Sequence, residues 1–277
     1  MKLTRKAYGK VNLFLSVGGK RDDGKHEVET VLCKVGVYDT VTVDLTRNGG
    51  IVLSCDDPSI PTDESNLAVK AALSYAEKAK IELNCRIDIE KRIPITAGMG
   101  GGSSDAAAVL LMLNEIFGNL SESELLKIAS ALGSDVPFFM YDDKVMVGVG
   151  SGDIMKPCAS KLMKLHGVFV MHGVKESTGK AYALLDEANP CATLKSSVGV
   201  TSSLKNNDIE HLSGEIFNDF EITSKHFEEV KNALEANGSI KAFLCGSGPT
   251  VCGLFTDENS AAQAAKTLKY PTFLCEI

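Results

Sequence analysis

A run of glycines and serines at the predicted start of a helix is the part of this chain best suited to chemistry. Residues 94–105 read Pro-Ile-Thr-Ala-Gly-Met-Gly-Gly-Gly-Ser-Ser-Asp. They follow a β-branched segment, residues 85–89, and lead into an apolar, alanine-rich stretch. Glycines let backbone N–H groups approach a ligand closely, and the positive end of a helix dipole favours an anion. We therefore predict that Pro94 to Ser104, here called the glycine loop, holds a polyphosphate.

A flexible linker is the competing interpretation of the glycine loop. The strand pattern before the loop and the helix pattern after it argue against a linker. The loop also lacks the Gly-Lys-Ser/Thr ending of a Walker A motif and the Gly-x-Gly-x-x-Gly spacing of a dinucleotide site. A lysine for phosphate transfer must therefore come from another part of the fold.

Three short motifs elsewhere carry further polar side chains. Lys10 and Asn12 share one face of a predicted strand, opposite its apolar face, either for function or because that face is solvated. Asp135 precedes the run Val-Pro-Phe-Phe, which we predict to be a strand. A partly desolvated carboxylate there favours accepting a proton, and a turn cap is an equal alternative. Residues 246–249, Gly-Ser-Gly-Pro, form a second glycine-rich segment, most simply a hairpin turn.

Composition excludes several classes of protein. The 277 residues are 44% hydrophobic and 23% charged, without the apolar run of about 20 residues that a membrane span needs or a secretory signal. Eight cysteines without a Cys-x-x-Cys pair predict reduced thiols in a cytoplasmic protein, and the five histidines have no spacing that predicts a metal site.

Charge is distributed unevenly along the chain. The net charge is −7, yet residues 1–26 hold seven lysines and arginines against two aspartates. The acidic remainder argues against nucleic-acid or membrane partners. The basic segment suits small anions such as nucleotides, with a solvated, lysine-rich edge strand as the alternative. No exposed apolar stripe predicts an oligomeric state.

Hydrophobic periodicity predicts an α+β chain in two parts, residues 1–150 and 151–277. The first part has strands at 7–17, 27–37, 40–45 and 51–54, with Tyr38-Asp39 as a turn, and helices at 66–80, 104–117 and 121–132, the last opened by a capping box at Ser121 and Glu124. The second part has strands at 167–171, 240–245, 251–255 and 272–276, with helices at 178–185, 258–268 and through most of 195–236.

Taken together, the motifs closely resemble the galactokinase, homoserine kinase and mevalonate kinase superfamily. The resemblance spans residues 3–276 and rests on Lys10 with Asn12, Asp23-Gly24-x-His26, the glycine loop, Gly133-Ser-Asp-Val-Pro137 and Gly246-Ser-Gly-Pro249. It implies an N-terminal mixed sheet with helices, a C-terminal ferredoxin-like α/β sandwich, and an active site in the cleft between them. It also implies a kinase of the non-mevalonate isoprenoid route, which transfers phosphate from ATP to the 2-hydroxyl of a small cytidine diphosphate derivative of methylerythritol.

The resemblance further implies a role for particular residues. Asp135 would be the catalytic base and Lys10 its electrostatic partner. The ATP phosphates and a bridging Mg²⁺ would lie on Pro94, Ala97, Gly98, Gly100, Gly101, Gly102, Ser103 and Ser104, with a serine hydroxyl as the natural metal ligand. Asn66 and Lys91 would lie near the adenine. The substrate pocket would contain Asn12, His26, Thr178 and Tyr182, with the aromatic ring stacked on cytosine.

Two positions depart from the family pattern. Lys25 stands where the family has a tyrosine that helps to enclose the cytosine, and Tyr8-Gly9 precedes Lys10 where Pro-Ala is usual. The stem of Lys25 can cover a ring and its ammonium can meet a diphosphate, or Lys25 is a surface lysine without contact; Tyr8 is a second candidate for the missing ring. A sister kinase for another small alcohol and a silent nucleotide-binding homologue are the alternatives. Retention of Lys10, Asp135 and both serines argues against the silent homologue.

Overall fold

The computed structural model describes residues 1–159, 164–173, 177–188, 193–224 and 226–277. Long strands and helices alternate in the first half of the chain. Its elements are β1 (Lys2–Lys20), β2 (His26–Leu45), β3 (Ile51–Cys55), α1 (Leu67–Ala79), β4 (Cys85–Glu90), α2 (Gly101–Phe117), α3 (Glu122–Leu132) and α4 (Val136–Phe139).

Shorter elements make up the second half. They are β5 (Val145–Val149), β6 (Ile154–Ala159), β7 (His166–Met171), α5 (Thr178–Ala188), α6 (Val198–Asn206), α7 (Ile209–Glu215), β8 (Phe217–Asn218), a 3₁₀ turn (Asp219–Thr223), α8 (Phe227–Ala236), β9 (Lys241–Leu244), β10 (Thr250–Phe255), α9 (Glu258–Thr267) and β11 (Thr272–Glu276).

Two compact units divide the chain, each built from several segments. The first unit comprises Met1–Gly9, Val37–Ile95 and Gly100–Asp142, and the second comprises Lys10–Gly36, Thr96–Met99 and Asp143–Ile277. Strands β1 and β2 therefore contribute to both units. The hairpin of β5 and β6 runs through residue 150 within the second unit. A boundary between domains at residue 150 stays a prediction.

The first unit packs helices on a small sheet. The second half of β2 pairs antiparallel with β4, and β3 pairs parallel with β4. Helix α1 packs against α2, α3 and β3. It begins at Asn66, whose side chain accepts a hydrogen bond from Ala68 N. The predicted capping box of α3 is confirmed, because Ser121 and Glu124 each bond the other's backbone N–H.

The second unit contains a four-stranded antiparallel sheet in the order β11-β7-β10-β9. Helices α8 and α9 pack on this sheet. Their apolar faces bury Val230, Leu234 and Ala261 against Val170 and Phe255. This arrangement is the predicted α/β sandwich. In the same unit the first half of β2 pairs with β5, and β1 pairs with β8.

Two secondary-structure predictions are wrong. Tyr38 and Asp39 lie within β2 and form no turn, since the side chain of Asp39 has buried partners that sequence proximity does not reveal. Residues 136–139 form the helical turn α4 where we predicted a strand. Pro137 suits the first turn of a helix, and a short apolar run does not distinguish a buried helix from a strand.

No helix in the described ranges is both long and apolar enough to span a membrane. Seven cysteines are free thiols, and four of these, Cys33, Cys85, Cys245 and Cys252, are buried. Cys191 lies outside the described residues.

Candidate active site

The backbone of the glycine loop turns sharply just before α2. Thr96, Gly98 and Gly100 adopt left-handed conformations, with φ of 58°, 76° and 73°. Gly100 is the N-cap of α2 and gives no side-chain capping bond, whereas Asn66 and Ser121 cap α1 and α3. The first N–H groups of a helix have no acceptor within the helix. Those of α2 are therefore suited to bind an external anion.

Different glycines of the loop are glycine for different reasons. A Cβ on Gly98 would lie 2.4 Å from the carbonyl oxygen of Cys245, and one on Gly101 would lie 3.3 Å from Lys91 Nζ. A Cβ on Gly102 would meet only Leu67 Cδ1, at 3.8 Å. Neither packing nor a positive φ requires glycine at position 102, which is exposed. A ligand that approached the backbone there would require glycine.

Lys10 and Asn12 begin a buried chain of hydrogen bonds in the second unit. Lys10 Nζ donates to Asn12 Oδ1 at 2.8 Å, and Asn12 Nδ2 donates to Thr30 Oγ1 at 2.8 Å. Thr30 Oγ1 then donates to the carbonyl of Phe14 at 2.7 Å. Lys10 and Asn12 are each only 3% exposed, so the interpretation of a solvated face is wrong.

Both glycine-rich segments lie beside this chain. The backbone N–H of Lys10 donates to Met99 O at 2.9 Å, within the glycine loop. A Cβ on Gly246 would lie 3.1 Å from Gly98 O and 3.3 Å from Lys10 Nζ. The second segment is also the predicted hairpin turn, because Cys245 N donates to the carbonyl of Thr250 at 2.8 Å. The structure thus brings Lys10, the glycine loop and the hairpin turn together.

A buried charge cluster holds both ends of the loop in the first unit. Lys91 Nζ pairs with Asp39 Oδ2 and, at 2.9 Å, with Asp105 Oδ2. Asp39 Oδ1 accepts hydrogen bonds from the backbone N–H groups of Arg92 and Ile93, at 2.5 and 2.8 Å. Lys91 to Ile93 directly precede the loop and Asp105 directly follows it, so the cluster fixes the chain on either side.

Burial dominates the electrostatics of this charge cluster. It raises the pKa of Asp105 from 3.8 to about 7, although the Lys91 ammonium opposes the change and Asp39 adds to it. Burial by itself lowers the pKa of Lys91, but Asp105 and Asp39 outweigh that effect and raise it. Asp105 Oδ1 is buried without a hydrogen-bond partner among the described residues. The lysine therefore stays charged, and Asp105 is easily protonated.

The predicted substrate residues form a second group in the second unit. The rings of His26 and Tyr182 stack with centroids 4.8 Å apart. His26 Nε2 and Asp186 Oδ1 are 2.8 Å apart, and Lys20 Nζ pairs with Asp186 Oδ2 at 2.8 Å. Lys20 and then His26 lower the pKa of Asp186. The carboxylate of Asp186 thus holds both Lys20 and His26 in place.

The remaining predicted residues are placed as follows. Thr178 is the exposed first residue of α5, the helix that carries Tyr182, and Lys25 is exposed in the turn before β2. Tyr8 packs edge-on against Tyr38, with ring centroids 5.5 Å apart. Asn66 uses its side chain to cap α1 and to donate to Pro61 O at 2.7 Å.

Asp135 is partly buried and directly precedes α4 in the first unit, whereas Lys10 belongs to the second unit. Their pairing stays a prediction. Pro94 belongs to the first unit and Ala97 to the second.

Sequence reasoning missed Thr30, Asp39 and Asp186, which hold predicted site residues in place. Of these three residues, only Asp39 has a signal in the sequence. It lies at an odd-numbered position, as do Val31, Val35, Val41 and Val43, which are buried on the same strand.

Comparison with known proteins places the chain in a family. The family model described as GHMP kinases N terminal domain matches residues 66–143, and the one described as GHMP kinases C terminal matches residues 201–271. A 4-diphosphocytidyl-2-C-methyl-D-erythritol kinase from Desulfotalea psychrophila is 38% identical over 265 residues, covering 92% of this chain and 86% of the relative. The kinase of the same name from Clostridium botulinum is 36% identical over 271 residues, covering 95% of each chain.

A solved structure of this kind of kinase also matches. The crystal structure of a 4-(cytidine 5'-diphospho)-2C-methyl-D-erythritol kinase superposes with a TM-score of 0.82 at 30% identity, covering 99% of this chain and 98% of the other. The chain belongs to the GHMP kinases and, within them, to the 4-diphosphocytidyl-2-C-methyl-D-erythritol kinase family. The predicted superfamily, the fold class and a kinase that uses ATP are thereby confirmed.

Gly98→Ala should disrupt the contact between the two glycine-rich segments. The new Cβ would collide with the carbonyl of Cys245 in addition to straining a φ of 76°. Gly50→Ala is the matched control, because Gly50 has a φ of 67° and no neighbour within 4 Å of a Cβ. We expect Gly50→Ala to cost about 1–2 kcal/mol in urea unfolding and Gly98→Ala about 1–3 kcal/mol more. Equal losses in the two variants would contradict the collision.

Asp39→Asn should loosen the attachment of the glycine loop. An asparagine oxygen accepts from the two amides and the ammonium less well than a carboxylate, so we expect a loss of about 1–3 kcal/mol in stability. Asp39 affects the loop only through the residues that it binds. We therefore expect KM for ATP to rise several-fold while kcat changes less. Asp44→Asn, on the same strand and partly buried, is the control.

The pH dependence of stability gives an independent readout of Asp39→Asn. Folded Asp105 holds its proton to about pH 7, whereas the unfolded carboxyl loses it near 3.8. The contribution of Asp105 to wild-type stability should therefore fall as the pH rises between these values. Removing the charge of Asp39 lowers the pKa of Asp105 and should narrow that window. An unchanged pH profile would show that Asp39 does not act on Asp105.

Proposed function

We propose that the chain transfers the γ-phosphoryl group of ATP to the 2-hydroxyl of 4-diphosphocytidyl-2-C-methyl-D-erythritol, a step of the non-mevalonate route to isoprenoid precursors. The choice of substrate rests on the similarity to kinases of that name over 92–95% of this chain, with identities of 36–38%. The site geometry supports the ATP half of the reaction, since uncapped N–H groups and an open glycine backbone lie at the start of α2.

Asp135 accepts the proton of the substrate hydroxyl in the proposed mechanism. The freed oxygen bonds to the γ-phosphorus as the bond between that phosphorus and the β–γ bridging oxygen breaks, and ADP leaves with the bridging oxygen. Lys10 offsets the charge that develops on the transferred group. Its buried hydrogen bonds to Asn12, and from Asn12 to Thr30, support this role because they hold the ammonium in one place.

Phosphate binding is assigned to the glycine loop, Pro94 to Ser104, and adenine contacts to Asn66 and Lys91. Ser103 or Ser104 would offer a hydroxyl ligand to Mg²⁺, because Mg²⁺ prefers oxygen ligands. When bound, the ion neutralises charge on the phosphates.

Cytidine recognition is assigned to the group around His26 and Tyr182. The Tyr182 ring offers a stacking surface, and His26 offers a polar edge whose orientation Asp186 sets. Asn12 and Thr178 complete the pocket near the reacting hydroxyl. Lys25 replaces a family tyrosine here and is exposed, so it is the feature that favours another alcohol as substrate.

A substrate panel tests the proposed specificity. ATP-dependent ADP release should be fastest with 4-diphosphocytidyl-2-C-methyl-D-erythritol, by at least about a hundredfold in kcat/KM over mevalonate and homoserine, because those compounds lack the cytidine group. Faster release with either of the other alcohols would identify a sister kinase. No release with any of them, despite ATP binding, would favour a silent homologue.

Asp135→Asn tests the assignment of the base. An amide does not accept the hydroxyl proton, so kcat should fall at least about 10²-fold while the Kd for ATP changes little. Asp142→Asn replaces an exposed aspartate seven positions on and should leave both values unchanged. Near-normal kcat in Asp135→Asn would remove this residue from the mechanism.

A further inference from the structure

Two histidines and a glutamate that are distant in sequence meet in the second unit. His172 directly follows β7, His226 is the N-cap of α8, and Glu229 lies in the first turn of α8. One ligand atom of each side chain lies within 4.8 Å of the others. His172 is partly buried, and His226 and Glu229 are exposed. The proposed kinase mechanism uses none of the three.

Neighbouring contacts orient this trio. Tyr270 donates its hydroxyl proton to Glu229 Oε1 at 2.6 Å, which fixes the carboxylate and directs its use through Oε2. The His172 ring lies against the rings of both His226 and Tyr270, at 4.8 and 4.9 Å. A hydrogen bond of 3.1 Å from Met171 N to Pro271 O ties the strand end that bears His172 to the segment that bears Tyr270.

Close packing of the backbone at Gly173 against His226 also brings the two histidines together. A Cβ on Gly173 would lie 3.3 Å from His226 Cδ2, and Gly173 has a φ of 101°. Glycine at this position therefore lets the chain after His172 pass directly beside His226. The two imidazoles are held together by backbone geometry as well as by ring contact.

We propose that His172, His226 and Glu229 bind one divalent transition-metal ion, with Zn²⁺ as the favoured ion. Two imidazole nitrogens and one carboxylate oxygen are a donor set typical of zinc, with a water as the fourth ligand. Bonds of about 2.0–2.2 Å in a tetrahedron place ligand atoms roughly 3.3–3.5 Å apart. The three ligand atoms lie within 4.8 Å of one another, so they must approach by at most about 1.5 Å. Rotation of the exposed His226 side chain supplies this movement, while Glu229 keeps its hydrogen bond to Tyr270. Mg²⁺, which prefers an all-oxygen environment, should not compete.

Zinc binding would join the end of β7 to the first turn of α8. Because the ion binds the folded arrangement, it should raise the Tm of the protein with increasing concentration. None of the three residues belongs to the proposed phosphate or substrate groups.

Calorimetric titration of the nucleotide-free, reduced full-length protein with Zn²⁺ tests the site. Wild type should bind one ion and show a Tm that rises with Zn²⁺. His172→Ala, His226→Ala and Glu229→Gln should each weaken binding at least about tenfold and remove most of the Tm rise. His211→Ala is the matched control, because His211 lies 3.9 Å from Glu215 without joining the trio. It should bind as wild type does.

Cobalt absorption separates this site from the cysteines. Co²⁺ bound by imidazole and carboxylate gives visible d–d bands without the near-ultraviolet charge-transfer bands of thiolate ligands. We expect the visible bands in wild type and His211→Ala and their loss in His226→Ala. Thiolate bands, or equal zinc affinity in wild type and all three variants, would overturn the proposal.

Discussion

A buried ammonium ion constrains the whole environment of the glycine loop. The Lys91 side chain is 8% exposed, and a charge so removed from water persists only with close partners of opposite charge. Its partners come from two other elements, Asp39 on β2 and Asp105 on α2. One ion-pair cluster therefore sets where the chain leaves β4 and where it enters α2. Between these fixed ends the loop buries the side chains of Ala97 and Met99.

Side-chain hydrogen bonds serve a different purpose at Lys10. The chain from Lys10 through Asn12 and Thr30 to the carbonyl of Phe14 runs in one direction, and each side chain donates to the next. Such a chain selects one rotamer for each residue, so the position of the ammonium is set by strand β1 and its neighbour β2. The Lys91 cluster fixes backbone, whereas the Lys10 chain fixes a side chain. A phosphoryl-transfer site requires both kinds of order.

Local signals account for what the sequence predicted well. The capping box at Ser121 and the hairpin at residues 246–249 each depend on residues within a few positions. Asp39 has partners at positions 91–93 and 105, so a rule based on neighbours classified it as a turn residue. His172 and His226 likewise meet only because a strand end and a helix start adjoin in the fold. The signal available in the sequence was the alternation of apolar residues at the odd-numbered positions on either side of Asp39. This alternation indicates a strand more strongly than the residue type of Asp39 indicates a turn.

The charge balance around the loop bears on the phosphate binding that we propose for its backbone. Lys91 is the lysine nearest the loop in sequence, but two carboxylates share it, so the cluster has no net positive charge whether Asp105 is ionised or protonated. It cannot attract a polyphosphate as the lysine of a Walker A loop does. Attraction is left to the N–H groups at the start of α2 and to Lys10, whose backbone is bonded to Met99 in the loop. A neutral ligand group such as a purine is better matched to the Lys91 cluster than a phosphate is, because Asp39 and Asp105 do not repel a neutral group.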